Sequence, residues 1–415
     1  MTDILLPSPS IGDVVREGLV RSVYQPIVDL DTGEVVALEA LARGPEGPFG
    51  RPDALFAAAR SAGLLADLDA ACRRAAFRGA AELRLVDPLT VFVNVEPEVL
   101  DAAPLDDLVA TAASVPEGLR VVLEITERAL VARPAELLRT VDRVRRLGWG
   151  IAVDDVGADP ASLAFMPLLR PDVVKLDLSL VQQRPSSAIA ETMNAVNAYA
   201  ERTGALVLAE GIEDEQHLWT ARSLGATLGQ GWHFGRPTAD PQVARPETGL
   251  RLLPAVPDLD DRVSPFDCLP PGTRLRQSSK RLLVELSKQL EREAERVGET
   301  CVVAATFQYS HHFTPDTAVR YRALAASTAF VAALGTDLDG LEVPGVRGAH
   351  IDERDGLVDE WDVVVVGPHF SAALLARDLG DGGPDLDRRF EYAVTYDVDA
   401  VLRAARALLS RVAPR

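Results

Sequence analysis

Two adjacent carboxylates, Asp154 and Asp155, follow the apolar run Ile151-Ala152-Val153. This short run, partly β-branched, is typical of a strand that is buried on both faces. Neighbouring side chains on a strand point to opposite faces, so both acids can aim at one centre only where the strand gives way to a loop. Two anions this close repel each other unless a cation lies between them, and Mg²⁺ prefers carboxylate oxygens. On this stretch alone, a helix cap by an Asp side chain is the simpler interpretation.

Polar side chains also end the other apolar runs in the first part of the chain. These ends carry Glu39, Asn94, Glu124, Lys175, Glu210 and Gln230. The carboxyl ends of the strands of a parallel barrel meet at one mouth, where the chemistry of such barrels lies. Acids, amides and a lysine brought together there form an oxygen-rich site, which suits Mg²⁺ or Mn²⁺. The wider pattern therefore favours a metal site over a helix cap at Asp154 and Asp155.

The elements that must position these residues are strands that alternate with helices. Residues 23–41 read as a β-hairpin with a turn at Asp31-Thr32-Gly33, and residues 52–84 read as helical. Further strand candidates lie at 91–95, 121–126, 151–155, 173–177, 206–211 and 229–232, with amphipathic segments at 135–147 and 189–203. About eight such units in roughly 220 residues predict a (β/α)₈ TIM-type barrel. We place it at residues 19–240, after an N-terminal lead-in at residues 1–18.

The chain changes character after the barrel. Pro241, Pro246, Pro254 and Pro257 break any long element, so residues 241–264 are assigned to a Pro-rich linker. Residues 265–412 are predicted to form a smaller α/β domain. It would hold an amphipathic helix at 273–297, strand-like runs at 300–307 and 361–367 with helical segments between them, and a closing helix at 398–412. The pair His311-His312 could bind a metal, but a loop pair without a metal is the favoured interpretation because no Cys or carboxylate accompanies it in the pattern.

Composition narrows the class of protein. The 415 residues carry a formal net charge of −19, which argues against binding to a nucleic-acid polymer or an anionic membrane. No run of about 18 apolar residues occurs, and the first residues lack the pattern of a signal peptide. The three cysteines are widely spaced and form neither a disulfide framework nor a zinc pattern. A cytoplasmic protein is the expectation.

Residues 21–237 resemble the EAL-domain family, phosphodiesterases that hydrolyse the bacterial messenger cyclic di-GMP. The signature is Glu39-Ala40-Leu41, within Leu38-Glu-Ala-Leu-Ala-Arg43. The other matching blocks are Tyr24-Gln-Pro-Ile, Val-Asn94-Val, Glu124-Ile-Thr-Glu127, Asp154-Asp155, Lys175-Leu-Asp, Glu210-Gly-Ile-Glu213 and Gln230-Gly-Trp-His-Phe-Gly-Arg-Pro237. A lone Glu-Ala-Leu carries no information, whereas this ordered set is highly specific.

The resemblance implies a role for each matching residue. The ligands of two Mg²⁺ or Mn²⁺ ions would be Glu39, Asn94, Glu124, Asp154 and Asp155, with Asp154 bridging the two ions. The catalytic set would be Glu210 as general base, Lys175 to orient the attacking water, Gln230 to help place water and metals, and Glu127 to brace the loop after Asp155. Cyclic di-GMP would contact Gln25, Leu41, Arg43 and Glu213, and the product would be linear pGpG. For Gln25 and Glu213, a purely structural hydrogen-bonding role stays open.

The loop after the paired acids departs from the family pattern. The family usually reads Asp-Asp-Phe-Gly-(Thr/Ala)-Gly-Tyr-Ser, but here Asp159 replaces a flexible glycine and Pro160 stiffens the next position. In the family this loop helps to set metal geometry and dimer packing, so the resemblance also implies that the barrel could form a homodimer. The leading hypothesis is a metal-dependent phosphodiesterase. The alternatives are a weak or inactive receptor that binds cyclic di-GMP and signals through partners, and a protein-interaction scaffold.

Residues 265–412 resemble the DICT domain, a sensory module found with cyclic di-GMP enzymes and two-component systems. The resemblance rests on Thr306-Phe-Gln-Tyr, Phe313 with Thr317, Arg320-Tyr321, the strand from Trp361 and the closing Ala393-Val-Thr-Tyr-Asp. It implies that an unknown ligand or protein partner acts on this domain and regulates the barrel.

Overall fold

Eight strands in the first half of the chain close into a barrel in order along the chain. The computed structural model describes residues 9–99, 118–126, 131–253, 263–382 and 384–414. The barrel strands are β1 (Arg21–Asp29), β2 (Val35–Arg43), β3 (Thr90–Asn94), β4 (Arg120–Thr126), β5 (Gly150–Val156), β6 (Val173–Leu176), β7 (Leu206–Ala209) and β8 (Leu228–Gln230). Strands β2 to β8 run parallel to one another, so their carboxyl ends meet at one mouth. The predicted TIM-type barrel is confirmed.

Strand β1 runs antiparallel to both β2 and β8. The predicted hairpin explains this direction, because a short turn can join only antiparallel strands. In that turn, the Asp29 carboxylate accepts hydrogen bonds from the backbone N–H groups of Asp31 and Thr32. Gly33 follows with φ +75°, a left-handed conformation that glycine adopts without strain.

Helices surround the barrel. Those among the described residues are α1 (Ile11–Arg16), α2 (Pro52–Ala62), α3 (Leu65–Glu82), α4 (Pro134–Arg146), α5 (Ala161–Leu169), α6 (Leu178–Gln182), α7 (Ser187–Thr203) and α8 (Glu215–Ser223). Helix α4 shows why they form: Pro134 begins it, and Leu137, Leu138, Val141 and Val144 bury one face. Burial of each such side chain contributes about 1.5–3 kcal/mol before entropy is subtracted.

The segment after the barrel closes its amino-terminal end. Leu250 is buried among the lower interior residues of the barrel, including Val122 and Ala152, and Leu252 packs against them. Two barrel side chains hold this segment by its backbone: Arg120 donates to the Leu250 carbonyl, and the Leu253 N–H donates to Asp172 at 2.6 Å. The first part of the predicted linker is therefore a structural part of the barrel.

The C-terminal domain is a seven-stranded sheet with helices on both faces. Its strands are β9 (Arg276–Ser279), β10 (Val302–Tyr309), β11 (Phe330–Thr336), β12 (Val346–His350), β13 (Glu360–Val366), β14 (Ser371–Asp378) and β15 (Arg389–Thr395), in the order β12-β11-β10-β13-β14-β15-β9. Its helices are α9 (Lys280–Val297), α10 (Pro315–Ser327) and α11 (Val398–Leu409). Helices α9 and α10 cover one face, and α11 covers the other. The expected smaller α/β domain is confirmed.

One predicted helix was too long at its start. Residues 276–279 form β9 and pair with β15, so the helix begins at Lys280 rather than at residue 273. The Ala- and Leu-rich segments that form β11 and β14 fall in stretches that read as helical. Both strands are almost entirely buried in the sheet, and this tertiary burial overrides their helix propensity. None of the described helices has the length and apolar character needed to cross a bilayer.

The two domains meet through α11 on one side and α4 and α5 on the other. Arg406 of α11 forms an ion pair with Asp142 of α4 and donates to the Leu168 carbonyl of α5 at 2.7 Å. Beside this contact, the ring of Phe165 in α5 packs edge-on against Phe330 of β11 at 6.2 Å. Helix α5 follows directly on the strand that carries Asp154 and Asp155, so the C-terminal domain touches the element next to those acids.

Candidate active site

A buried lysine lies at the centre of the barrel mouth. The Lys175 ammonium, on β6, is 2.8 Å from Glu210, 2.9 Å from Asp154, 3.0 Å from Glu124 and 3.8 Å from Glu39. The side chain is 1% exposed, and burial alone lowers the pKa of Lys175. The surrounding carboxylates outweigh burial and raise this pKa well above the ordinary value, so the ammonium stays charged. Four strand ends that are far apart in sequence thus converge on one cation.

Two amides hold the Glu39 carboxylate on β2. Asn94 Nδ2, at the end of β3, donates to Glu39 Oε1 at 3.0 Å, and Gln230 Nε2, at the end of β8, donates to Oε2 at 2.7 Å. Gln25 lies opposite Glu39 in the β1–β2 ladder; its Oε1 is 3.3 Å from Gln230 Nε2, and its own amide donates to the Gly235 carbonyl. Because the Asn94 amide nitrogen faces Glu39, the side-chain oxygen of Asn94 stays available to a cation.

A β-bulge explains how Asp154 and Asp155 reach one centre. The expectation was that the strand ends at these acids, but β5 continues to Val156 and its pairing with β6 shifts register between Val153 and Val156. A bulge inserts an extra residue and re-aims a side chain. Asp155 has φ +55°, a left-handed conformation that Asp tolerates better than most residues. As a result, ligand oxygens of Asp154, Asp155 and Glu210 lie within 4.8 Å of one another.

The altered loop after the bulge is closed by its own hydrogen bonds. Ser162 Oγ accepts from the Gly157 N–H at 3.2 Å and donates to the Asp159 carbonyl at 2.7 Å. The Asp159 carboxylate accepts from the Ala161 N–H at 2.9 Å, at the start of α5. Asp159 and Pro160 therefore replace the flexible family sequence with a short, fixed entry into the helix.

The acids fit a pair of divalent cations. Both carboxylate oxygens of Glu124 are buried and have no hydrogen-bond donor among the described residues, although Lys175 is close to one of them. Five carboxylates form the cluster: Glu39, Glu124, Asp154, Asp155 and Glu210. When all five are ionised, Lys175 neutralises one negative charge and four remain. Two divalent cations would supply the four positive charges that balance them. Burial raises the pKa of Glu124 well above its ordinary value, and burial raises that of Glu210 to about 8. Cations therefore compete with protons for these sites.

A cavity of about 670 Å³ opens beside this cluster. Asn94 and Asp155 lie at its border with the acids, and Leu41 lines it. Arg43 is half-buried at the end of β2, with one guanidinium N–H donating to the Ala42 carbonyl, and Glu213 is exposed in the segment after Glu210. Glu127, the remaining residue of the implied set, lies outside the described residues.

The structure also brings a residue pair to the cavity that sequence reasoning missed. Asp69 and Arg73, one turn apart on α3, form a buried ion pair in its wall, and Asp69 also accepts from the Glu96 backbone N–H. The available signal was the position of two opposite charges at i and i+4 within the Ala-rich, buried stretch of α3.

The family models match two parts of the chain. Residues 11–237 match the model of the EAL domain. Residues 267–379 match the DICT model, described as a sensory domain in diguanylate cyclases and two-component systems. The first match ends before the leucines that close the barrel, and the second begins before β9.

Known proteins resemble this chain over the barrel half. Cyclic di-GMP phosphodiesterase NbdA of Pseudomonas aeruginosa is 34% identical over 245 residues, which cover 57% of this chain and 31% of the relative. Cyclic di-GMP phosphodiesterase RocR of the same organism is 31% identical over 241 residues, or 55% of this chain and 61% of the relative. The solved Klebsiella pneumoniae BlrP1 manganese and cyclic di-GMP complex at pH 9.0 shares 28% identity and a TM-score of 0.46, over 56% of this chain and 57% of that chain. The chain spans less than two thirds of the length of each.

Proposed function

This chain belongs to the EAL-domain family, and on that basis we propose that it hydrolyses cyclic di-GMP to linear pGpG with Mg²⁺ or Mn²⁺. The observation that carries the proposal is the charged cluster at the barrel mouth. Lys175 is surrounded by four carboxylates, and the β5 bulge adds Asp155 at the edge of a cavity of about 670 Å³. This arrangement suits the hydrolysis of an anionic phosphodiester, which needs concentrated positive charge and a base.

The residues that would hold the cations are Glu39, Asn94, Glu124, Asp154 and Asp155. Bound divalent cations supply charge neutralisation at the phosphate and activation of the attacking water. The Glu124 oxygens, whose only close partner among the described residues is Lys175, and the excess of negative charge support this assignment. The hydrogen bonds from Asn94 and Gln230 hold Glu39 in a fixed orientation before any cation binds.

Glu210 is the proposed general base. Its carboxylate is fixed 2.8 Å from the Lys175 ammonium, which also holds Asp154. Burial raises the pKa of Glu210 above its ordinary value, which makes its carboxylate a stronger proton acceptor than an exposed one. Lys175 would orient the water that loses its proton to Glu210, and Gln230 would help to place it.

The substrate would lie in the cavity beside the cluster. Leu41 offers apolar surface to a guanine base, and the planar Arg43 guanidinium suits a phosphate. Gln25 and Glu213 are assigned as further contacts to cyclic di-GMP, supported by their places beside Gln230 and after Glu210. Glu127 keeps its proposed bracing role.

The C-terminal domain is proposed to regulate the barrel through α5. Residues 162–169 of α5 are all buried, and Arg406 holds the Leu168 carbonyl on this helix. A shift of α11 would therefore press on the helix that follows Asp154 and Asp155. Because this chain's own domain covers α5, a homodimer of barrels would use another surface. We further propose a cytoplasmic location, in keeping with three free cysteines.

A hydrolysis assay tests the proposal. The purified chain is incubated with cyclic di-GMP and Mg²⁺ or Mn²⁺, and pGpG is measured by chromatography. We expect turnover that Glu210→Gln lowers by about 100-fold or more, since a general base contributes 10²–10⁴-fold, while nucleotide binding persists. Glu215→Gln, an exposed acid on α8, is the matched control and should keep full turnover. Binding without product in the unaltered chain would instead identify a receptor.

A further inference from the structure

A second cavity, of about 640 Å³, lies in the C-terminal domain, on the sheet face that α9 and α10 cover. One face of α9 lines it through Lys280, Val284, Ser287, Lys288 and Glu291. Strands β10 and β13 and the first turns of α10 supply other walls. Ligand pockets commonly enclose roughly 300–1,000 Å³. The cavity is thus large enough for a small molecule and is separate from the barrel mouth.

Aromatic side chains form much of its wall. Phe307, Tyr309, Tyr321 and Trp361 all line it, and the Phe307 and Tyr321 rings meet edge-on at 5.2 Å. Tyr321 is fully buried, and its hydroxyl has no hydrogen-bond partner among the described residues. Buried tyrosine hydroxyls usually have one. A planar aromatic ligand that also carries a polar group suits these walls.

Cationic side chains outnumber acids in the lining of this cavity, whereas acids outnumber cations in the whole chain. Four cationic side chains line it, Lys280, Lys288, Arg320 and Arg388, against three acids, Glu291, Asp316 and Asp385. The chain as a whole has 62 acidic and 43 basic residues. Three of the four cations have further acidic partners, Arg320 with Glu291, Lys288 with Glu285 and Arg388 with Asp378. Lys280, which is paired with Asp385, is therefore the cation that most favours an anionic ligand.

One of the three acids occupies the place that a ligand anion would take. Both oxygens of Asp385 are 2.7 Å from the Lys280 ammonium, and Arg388 donates to the same carboxylate at 3.1 Å. Lys280 is 9% exposed at its side chain, whereas the Asp385 side chain, on a short turn, is 51% exposed. A nearly buried cation is therefore neutralised by a half-exposed acid, which a ligand anion from solvent could displace.

The cationic side of this contact is firmly held. Gln308 Oε1 accepts from Arg388 at 3.1 Å, and Gln308 itself is buried with φ +60°, an unusual backbone conformation for a residue other than glycine. The same residue lies where the β10–β11 pairing shifts register. Backbone outliers of this kind cluster at ligand sites. Arg388 is also paired with Asp378 of β14, so Lys280 is the cation that depends most on Asp385, and Asp385 is the half-exposed occupant of this anion-binding place.

We propose that this cavity binds a planar aromatic anion, whose carboxylate, sulfonate or phosphate replaces Asp385 on Lys280 and Arg388. The aromatic ring would pack against Phe307, Tyr321 and Trp361, and Asp385 would act as a built-in competitor. Removal of Asp385 should then strengthen the binding of aromatic anions and leave that of neutral aromatic molecules unchanged.

The test uses the full chain and two fluorescent probes. One is 8-anilinonaphthalene-1-sulfonate, an aromatic anion; the other is N-phenyl-1-naphthylamine, which lacks only the sulfonate. We expect Asp385→Ala to tighten binding of the anionic probe by about threefold or more, as loss of a competing half-exposed ion pair allows, and Lys280→Met to weaken it. Asp387→Ala is the matched control, since Asp387 lies on the same turn but pairs with Arg281 outside the cavity.

Three results would overturn the proposal. They are no saturable binding of the anionic probe, an unchanged affinity in Asp385→Ala, and an equal gain for the neutral probe, which would mean that the substitution merely opens the cavity. Thermal denaturation checks that each variant is folded. If Asp385→Ala is not folded, Asp385→Asn replaces it; if Lys280→Met is not, a substitution of the more exposed Lys288, Lys288→Met, replaces it. The assay measures no hydrolysis, so its outcome is independent of the proposed activity of the barrel.

Discussion

Asp155 is the residue whose backbone decides the geometry of the candidate metal site. Its left-handed φ of +55° is the conformation that turns the second acid of the pair toward Asp154 and Glu210. Asn adopts this conformation as readily as Asp, whereas a β-branched residue would be strained there. The charge of Asp155 can therefore be removed without a change of its backbone.

We predict that Asp155→Asn lowers turnover and Mg²⁺ affinity by at least about 10-fold, since even substitutions around metal ligands cost 10–100-fold. The hydrolysis assay and isothermal titration with Mg²⁺ measure the two effects, and thermal denaturation without metal checks that the variant is folded. Asp159→Asn, in the same loop, keeps its acceptor for the Ala161 N–H and should behave as the unaltered chain does. Equal Mg²⁺ affinity in both variants would exclude Asp155 as a ligand.

Another acid, the buried Asp362 on β13, contributes to the pH dependence of stability in the C-terminal domain. Burial and the charge of Glu360 raise the pKa of Asp362 well above its ordinary value, and one of its oxygens is buried without a hydrogen-bond partner among the described residues. The folded domain therefore holds a proton that the unfolded chain releases at lower pH. This contribution to stability is present below the unfolded pKa and is lost as the pH rises through the folded pKa.

Asp362→Asn should consequently raise the melting temperature at pH 8 more than at pH 4, because it removes a charge that is buried only at the higher pH. The Thr306 hydroxyl can still donate to the new amide oxygen. Calorimetry across this pH range measures the effect, with exposed Asp359→Asn as the control. A gain that is the same at both pH values would contradict the assigned titration.

At the scale of elements, β5, its bulge, the following loop and α5 act as one unit. Gly157 is the tightest point of that unit: a Cβ there would lie 2.6 Å from the Leu180 side chain and 3.1 Å from Thr192, and its φ is +98°. Leu180 belongs to α6 and is buried, so it has little room to move. The loop is thus fixed both by its own hydrogen bonds and by its neighbours.

Gly157→Ala should destabilise the chain and reduce turnover, since the loop would have to move away from α6 and carry Asp155 with it. Gly148→Ala is the matched control, because Gly148 also has a positive φ of +76° but has open space around it. The control should cost only the conformational penalty, about 1–2 kcal/mol. Chemical denaturation and the hydrolysis assay distinguish them. If both variants lose the same stability and activity, packing at Gly157 is unimportant.

Strong local patterns made most of the barrel predictable. The apolar runs ended by Glu39, Asn94, Glu124 and Lys175 predicted both the strands and the residues that meet at the mouth. The β5 bulge was not predicted, because neither an inserted residue nor a left-handed φ changes the pattern of apolar residues from which the strand was predicted. The Asp69–Arg73 pair was missed for another reason: within α3 it reads as an ordinary helical charge pair, and only the fold buries it.

The C-terminal domain was less predictable because its sheet is assembled from distant segments. Strand β9 pairs with β15, which lies over 100 residues later along the chain, and its own sequence, Arg276-Gln-Ser-Ser279, has no apolar alternation. The second cavity depends on the same long-range assembly. Lys280 and Asp385 meet only because β9 and β15 bring the start of α9 beside the turn before β15.

At the scale of the whole molecule, two arginines anchor the interface between the domains, beside a hydrophobic cluster that runs through both. Arg406 bridges α11 to both α4 and α5, and Arg347 of β12 donates to the Val131 and Ala132 carbonyls of the barrel half at 3.2 Å. Both arginines use backbone carbonyls, so the contact depends on helix positions more than on partner side chains.

Arg406→Ala should loosen this arrangement and increase the radius of gyration measured by small-angle X-ray scattering. The Leu168 carbonyl and Asp142 would lose an almost buried donor, which stabilises the contact more than a surface pair would. Arg403→Ala, on the same helix, serves as the control: among the described residues it removes only a bond to the Cys268 carbonyl, within the C-terminal domain. An unchanged radius of gyration in Arg406→Ala would show that other contacts suffice.

The segment that leads out of the barrel also closes it, and this matters for any attempt to cut the protein into parts. A fragment that stops at residue 237, where the family match ends, lacks Leu250 and Leu252 and leaves the apolar floor of the barrel open to water. A fragment that runs to residue 253 retains both leucines, the bond from Arg120 to the Leu250 carbonyl and the bond from the Leu253 N–H to Asp172. The shorter piece should aggregate or melt earlier than the longer one in the same thermal scan. A fragment of the barrel domain should therefore end no earlier than residue 253, after the leucines that close the amino-terminal end of the barrel.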